Sequence, residues 1–299
     1  MLNIKDVTVV IPVAKMSGKL QPLEETVKQL LINQISVVII HDHHDEATSR
    51  ELKEIEVLMR KLGGINLIEN TYGGPGLARN AGIQMSPGEY IAFWDSDDLP
   101  NVKNFIEFAQ DSIAKDSDIG IAEFVVNNGK KRREVRLSGV GFREDYREIA
   151  LNPGIWRFIF KKSLITELLF PAHRLGEDQV FIAKALVKAS RVTTFKMHVY
   201  EYLLFHDGAL TKDPKNLPDI VKSLENLSEI YKTATNKVVS KFIGVMFWKM
   251  YLTLVTRPNS KRTALGNLTI IKDLARNNPK LLFLVSIQFL IARNYKPLL

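Results

Sequence analysis

Within the first hundred residues, short apolar runs alternate with segments of helical periodicity, and this alternation restricts the fold more than any other property of the chain. Residues 7–13 (VTVVIPV) read as a buried strand. Residues 23–33 carry apolar side chains at 23, 27, 30 and 31, the spacing of one helix face. Residues 35–40 form a second strand. Residues 49–62 are helical through Leu52, Ile55, Leu58, Met59 and Leu62, and Gly63-Gly64 stops them. Residues 65–68 and 90–94 are the third and fourth strands. This order predicts an α/β fold, a Rossmann-like, mostly parallel sheet flanked by helices, because parallel neighbours need crossovers that cover both faces. Ligands of such sheets bind beyond the carboxyl ends of the strands. Two acidic clusters, at 42–45 and 95–98, fall just there.

Further along, residues 119–126 and 192–200 read as strands. Residues 177–189 read as a helix with an apolar face at Val180, Phe181 and Leu186, and the basic run 130–133 falls on a hairpin or loop. After Pro218 the pattern is helical at 220–233, 238–256, 264–276 and 279–293. The charge divides at the same place. The chain has 41 Lys and Arg against 33 Asp and Glu, but residues 215–299 hold 14 basic and only 4 acidic side chains. The expectation is a near-neutral body, residues 1–213, and a basic amphipathic helical region, residues 214–299, whose partner is an anionic surface. Its aromatics (Phe242, Phe247, Trp248, Tyr251) are spaced for a helix core rather than for base stacking, so nucleic acid is not an expected partner. The most apolar stretch, 281–292, has 12 residues, short of the ~18–20 that span a bilayer. Residues 1–12 lack a secretory pattern, and there is no cysteine, which excludes disulfides and thiolate chemistry. A cytoplasmic protein, peripheral on the inner face of a membrane, fits these features; packing of the tail on the body or on a second subunit, as a homo-oligomer, is the alternative.

Three constellations could carry chemistry. Asp95-Ser96-Asp97-Asp98 places three carboxylates within four residues at a strand end, and hard oxygen ligands of this kind suit Mg²⁺ or Mn²⁺ held together with substrate phosphates. The competing reading is a solvated turn. Residues 72–83 (YGGPGLARNAGI) form a Gly-rich turn into a helix, with Arg79 and Asn80 near the helix start. It is neither a Walker loop nor a dinucleotide fingerprint. Gly176-Glu177-Asp178 opens the 177–189 helix, where paired acids first of all cap, and where one could act as a general base. Strand alternation separates His41 and His43 from Asp42 and His44, which disfavours an imidazole metal site and leaves Asp42 as the candidate there.

Taken in order, these pieces resemble the family 2 inverting nucleotide-sugar glycosyltransferases of GT-A fold, over about residues 6–212. VTVVIPV resembles the opening nucleotide-binding strand, and VVIIHD the second strand with its Asp. The block GLARNAGIQMSPGEYIAFWDSDD carries the resemblance most specifically, supported by GIWRFIFKKSLI and LGEDQVF. The resemblance implies a nucleotide-sugar-binding half at 1–100 and an acceptor-binding half at 101–213. It implies that Pro12, Val13, Asp42, Gly74, Arg79, Asp95 and Ser96 hold the nucleotide-sugar. Asp97, with Asp95, would hold Mn²⁺ or Mg²⁺. Asp178 would be the catalytic base, Glu177 would touch acceptor or donor sugar, Trp156 would wall a sugar ring, and His206 would lie in a loop closing on the diphosphate. The activity implied is metal-dependent transfer of a hexosyl-type sugar, from a UDP-sugar by expectation, to an acceptor hydroxyl in bacterial cell-surface polysaccharide or lipid-linked oligosaccharide assembly. Ala14, Lys15, His43 and His44 depart from the family's usual residues around the nucleoside. A non-catalytic scaffold, or a nucleotidyltransferase with a basic loop after the first strand, are the competing functions.

Overall fold

A computed structural model of the chain describes residues 3–42, 45–63, 65–204 and 217–256. The elements are β1 (Val7–Val13), α1 (Gln21–Ile32), β2 (Ser36–Asp42), α2 (Glu46–Leu62), β3 (Ile65–Asn70), α3 (Pro75–Met85), β4 (Tyr90–Phe93) and β5 (Leu99–Pro100). They continue with α4 (Val102–Ala114), β6 (Ile119–Asn127), β7 (Arg132–Val135), α5 (Phe142–Leu151), β8 (Phe158–Lys161), α6 (Lys162–Ile165), α7 (Glu177–Lys188), β9 (Val192–Leu203), α8 (Leu217–Thr233) and α9 (Lys237–Thr256).

The described strands form one sheet in the order β3-β2-β1-β4-β8-β6-β9-β5, with β7 hydrogen-bonded to β6. β3, β2, β1 and β4 are parallel. β8 runs against both β4 and β6, so β6 points the same way as β4, and β9 runs parallel to β6. The carboxyl ends of β1, β2, β4, β6 and β9 therefore share one edge. Alternation along each strand feeds two cores. In β1, Val10 faces a core shared with α3, α5 and α7, whereas Val9 and Ile11 face one built with α1, α2 and α4. Gly82 lets α3 lie against β1, since a Cβ there would stand 2.2 Å from Val10 Cγ1.

Between β6 and β9 the register slips. Ala122 faces Phe195, but Glu123 faces His198 and Phe124 faces Tyr200. The extra residues bend the end of β9 over the loop that follows β4.

For residues 217–256 the structure differs from the expected amphipathic appendage. Phe242, Ile243, Val245, Met246, Phe247 and Trp248 are all at most 2% exposed and share a core cluster with Phe160 and Phe181 of the body. A helix apolar on every side is a core helix. Among the described residues no helix is long and apolar enough to cross a membrane. The segments expected at 264–276 and 279–293, and His206, lie outside the described residues.

Candidate active site

The chain leaves β4 through Trp94, fully buried, and turns at Asp95. Two contacts from β9 fix this turn: Asp95 N–H donates to Tyr200 Oη (3.0 Å), and Leu203 N–H donates to Asp98 Oδ1 (2.8 Å). The sequence-expected acids thus separate. Asp98 is 5% exposed, and burial, aided by the charge of Asp95, pushes its carboxyl well above the usual range. Asp95 and Ser96 are half-buried and Asp97 is exposed at the rim.

The Gly-rich run serves packing as much as ligand approach. Gly73 and Gly74 have φ of 90° and 155°, and Pro75 starts α3. A Cβ on Gly76 would stand 2.9 Å from Glu177 Cγ and 2.9 Å from Pro171 O, so only glycine lets α3 touch the segment that leads into α7. One turn on, Arg79 is 4% exposed and bridges two elements: Nη2 donates to Asp95 Oδ1 (2.7 Å) and Nη1 to Glu177 Oε1 (3.0 Å). Asp42, at the end of β2, accepts from Tyr72 N–H (2.6 Å) and Gly73 N–H (3.0 Å), anchoring the same glycine loop. Pro12 is half-buried and Val13 buried at the neighbouring end of β1.

The first turn of α7 presents Glu177 and Asp178. Gly176 precedes them at φ +79°, and a Cβ there would meet Ser223 Oγ at 2.7 Å and Met250 Cε at 2.8 Å, so α8 and α9 brace the turn from behind. His173 Nε2 and Ser223 Oγ are 2.6 Å apart, and Ser223 donates to Leu175 O (2.7 Å). Burial pushes Glu177 up to about 8, with the charge of Asp178 adding and Arg79 opposing. Burial also pushes Asp178 up to about 6, again against the pull of Arg79. A half-buried carboxyl poised near 6 is ionised at neutral pH yet basic enough to accept a proton.

Trp156 requires a correction. It is 6% exposed, stacked 4.8 Å from Tyr200 at 4° and 5.5 Å from Tyr202 at 22°, with an edge on Phe124. It supports the β9 tyrosines rather than presenting an open wall. Tyr202 is the partly exposed ring of this stack, and burial together with the charge of Asp98 pushes its phenol upward. Tyr200, Tyr202 and Lys249 escaped the sequence reading. The V-Y-E-Y spacing on a strand running toward the acidic edge could have signalled the two tyrosines. Nothing local marks Lys249, whose Nζ donates to Leu151 O and whose ammonium burial pushes down to about 8.

Among the described residues no three His, Asp or Glu side chains converge as a preformed cage for a cation. The donor set that does exist is sparse. Asp98 is turned inward, and Asp95 spends Oδ1 on Arg79. Asp97 and the second oxygen of Asp95 fit an ion that takes its remaining ligands from substrate phosphates and water, as Mg²⁺ commonly does.

The profile of glycosyl transferase family 2 matches residues 8–172. The poly(ribitol-phosphate) beta-glucosyltransferase of Bacillus spizizenii is 30% identical over 259 residues, 81% of this chain and 40% of that protein. The poly(ribitol-phosphate) beta-N-acetylglucosaminyltransferase TarS of Staphylococcus aureus is 26% identical over 58% of this chain and 31% of its own length. This chain thus spans well under half of either relative. The crystal structure of S. aureus TarS 1-349 with UDP-GlcNAc superposes with a TM-score of 0.69 at 18% identity, covering 92% of this chain and 81% of that one. A Pyrobaculum calidifontis mannosyltransferase in complex with GDP-Man and Mn²⁺ gives 0.53 at 15% identity, covering 95% and 87%. These two likenesses establish the GT-A fold, and with the family match they settle membership: the chain belongs to glycosyl transferase family 2.

Proposed function

We propose that the protein is an inverting glycosyltransferase that moves a sugar from a nucleotide-sugar, a UDP-sugar by preference, to an acceptor hydroxyl, with Asp178 as the base. One observation carries this reading. A single buried guanidinium, Arg79, joins Asp95 on the donor side to Glu177, the immediate neighbour of Asp178. The donor-side carboxylate and the base are therefore held by one rigid connection across the cleft. Inversion needs one base opposite the leaving group and no covalent intermediate, and no nucleophile is needed beyond the acceptor itself. Asp178 takes the acceptor proton. Pro12, Val13, Asp42, Gly74 and Ser96 line the nucleotide end, and Asp42 acts there by fixing the glycine loop. Asp97 and Asp95 would hold Mn²⁺ or Mg²⁺, which neutralises charge developing on a leaving diphosphate when bound. Trp156 acts through Tyr202.

The curated relatives act on poly(ribitol-phosphate), which favours a bacterial cell-surface polymer as the acceptor here. Residues 257–299 carry 8 basic side chains against 1 acidic, and this excess supports work at the cytoplasmic face of a membrane. Asp178→Asn tests the central assignment. Transfer should fall ~10²–10⁴-fold, while donor binding, measured by calorimetry with UDP and Mn²⁺, stays nearly intact. Unchanged turnover would remove Asp178 from the role.

A further inference from the structure

A cation from the far half of the chain lies against the glycine loop. Arg174 stands just before α7, and its Nε donates to Gly73 O (3.3 Å). A Cβ on Gly74 would stand 3.4 Å from Arg174 Cγ and 3.7 Å from Arg174 Nε, so the side chain runs across the loop in packing contact with it. The backbone of Arg174 is fixed separately. Its N–H donates to Asp219 Oδ2 of α8 (2.9 Å), and the residues on either side are held by Ser223, whose Oγ meets His173 Nε2 and donates to Leu175 O. The main chain is thus tied to α8 while the side chain is laid on the turn from which α3 starts. Arg174 is only partly buried, so its charge is not cut off from water.

The loop joins the two ends of the cleft. At one end Asp42 accepts from Tyr72 N–H and Gly73 N–H. At the other, Gly76 packs on Glu177 so closely that a Cβ there would stand 2.9 Å from Glu177 Cγ. A donor with its nucleoside beside Asp42 and its sugar beside Asp178 carries its diphosphate past Gly73 and Gly74, where Arg174 lies. The charges on that path call for a cation. Asp42, Asp95, Glu177 and Asp178 contribute carboxyl groups, and Arg79 gives both terminal nitrogens to two of them. A diphosphate entering this field is repelled, and it gains further negative charge as it leaves. A divalent ion at Asp97 and Asp95 would neutralise part of that charge. A guanidinium outside the Arg79 bridge can neutralise more, and its planar fork suits phosphate oxygens.

We infer that Arg174 is a donor-binding residue, pairing with the diphosphate of the nucleotide-sugar and stabilising it as the leaving group. The inference rests on the nucleotide-sugar reading, and it requires no particular sugar or acceptor. It also gives the C-terminal helices a bearing on the donor, because Asp219 of α8 fixes the residue that carries the charge.

The experiment titrates the full chain, with Mn²⁺ present, with UDP and with GDP in a calorimeter. Uridine, which has the nucleoside without the phosphates, is measured by its competition with UDP. Arg174→Gln should weaken UDP about tenfold and uridine by less than about twofold. Arg174→Lys keeps the charge but loses the fork, and should fall between that variant and the wild type. Arg174→Met keeps an apolar stem across Gly74 while removing the charge. It should match Arg174→Gln, so a folding defect in one variant does not decide the outcome. UDP affinity within about twofold of wild type in Arg174→Met overturns the assignment. An equal loss for uridine and UDP overturns it as well, since Arg174 would then only prop the glycine loop. The two readings fail separately: a wild-type protein that binds neither UDP nor GDP refutes the nucleotide-sugar reading and this inference with it, whereas UDP binding indifferent to Arg174 refutes the inference alone.

Discussion

Replacing Arg79 by Ala tests whether one guanidinium holds both sides of the cleft. Glu177 is 6% exposed and the Asp95 side chain 31%, so removal strands one carboxyl in the interior and another at its margin. Once Glu177 is ionised, breaking its buried ion pair from one side costs about 3–5 kcal/mol. For a chain of this size each kcal/mol moves Tm by ~2–4 °C, which places the expected loss at ~6–20 °C. The dependence on pH identifies the cause. The Glu177 carboxyl stands at about 8 when folded, against an ordinary 4.5. Folding therefore favours its protonated form, and that contribution is full below 4.5 and lost as pH climbs toward about 8. Arg79 restrains this pKa, so without it the loss continues to higher pH, and the deficit of Arg79→Ala should widen above pH about 8. Adding Glu177→Gln removes the proton-binding group. The double variant should lose the pH-dependent part of the deficit and recover stability by ~1–3 kcal/mol relative to additivity. Differential scanning calorimetry of the four proteins at pH 6 and pH 9 supplies the comparison. An Arg79→Ala protein that melts within about 2 °C of wild type at both pH values refutes the reasoning. So does a double variant as pH-sensitive as the single one.

Two further outcomes follow from the same contacts. Because Asp178 titrates near about 6, kcat/KM should fall as pH drops through that value, and a pH–rate profile flat between pH 5 and 7.5 would exclude it as the base. Ending the chain at Asp213 should give aggregated protein, since it strips Phe242, Phe247 and Trp248 from the core, whereas ending it at Thr256 should keep the fold and lose flotation with anionic liposomes. Undiminished flotation of the shorter-tailed protein would reject a membrane role for residues 257–299.

The first hundred residues were legible because their signals are local. An apolar run such as 7–13 has one sensible structure, and the expected strand coincides with the observed Val7–Val13. The glycine turn and the acidic turn announce themselves within a few residues. Residues 101–213 were less legible because their order is set by distant partners. β8 is a four-residue strand that exists through pairing with β4 and β6, and it inserts an antiparallel member that no periodicity marks. α5 and α9 meet across about a hundred residues of sequence, and that meeting sets Lys249 Nζ on Leu151 O.

The basic excess after residue 214 gives the sharpest instance. Charge counting treats a segment as a unit, but packing does not. In 217–256 the lysines ride on helices whose apolar residues complete the body's core and whose Ser223 and Met250 stand behind the turn at Gly176. One of those lysines, Lys249, is half-buried, with its Nζ donating to Leu151 O of α5. A charge read as a docking signal for the whole segment therefore divides by position: Lys249 is drawn into the packed body, whereas Lys222 and Lys232 keep 60% and 55% of their side chains exposed. Position in the fold, which burial decides, sets what each charge can do.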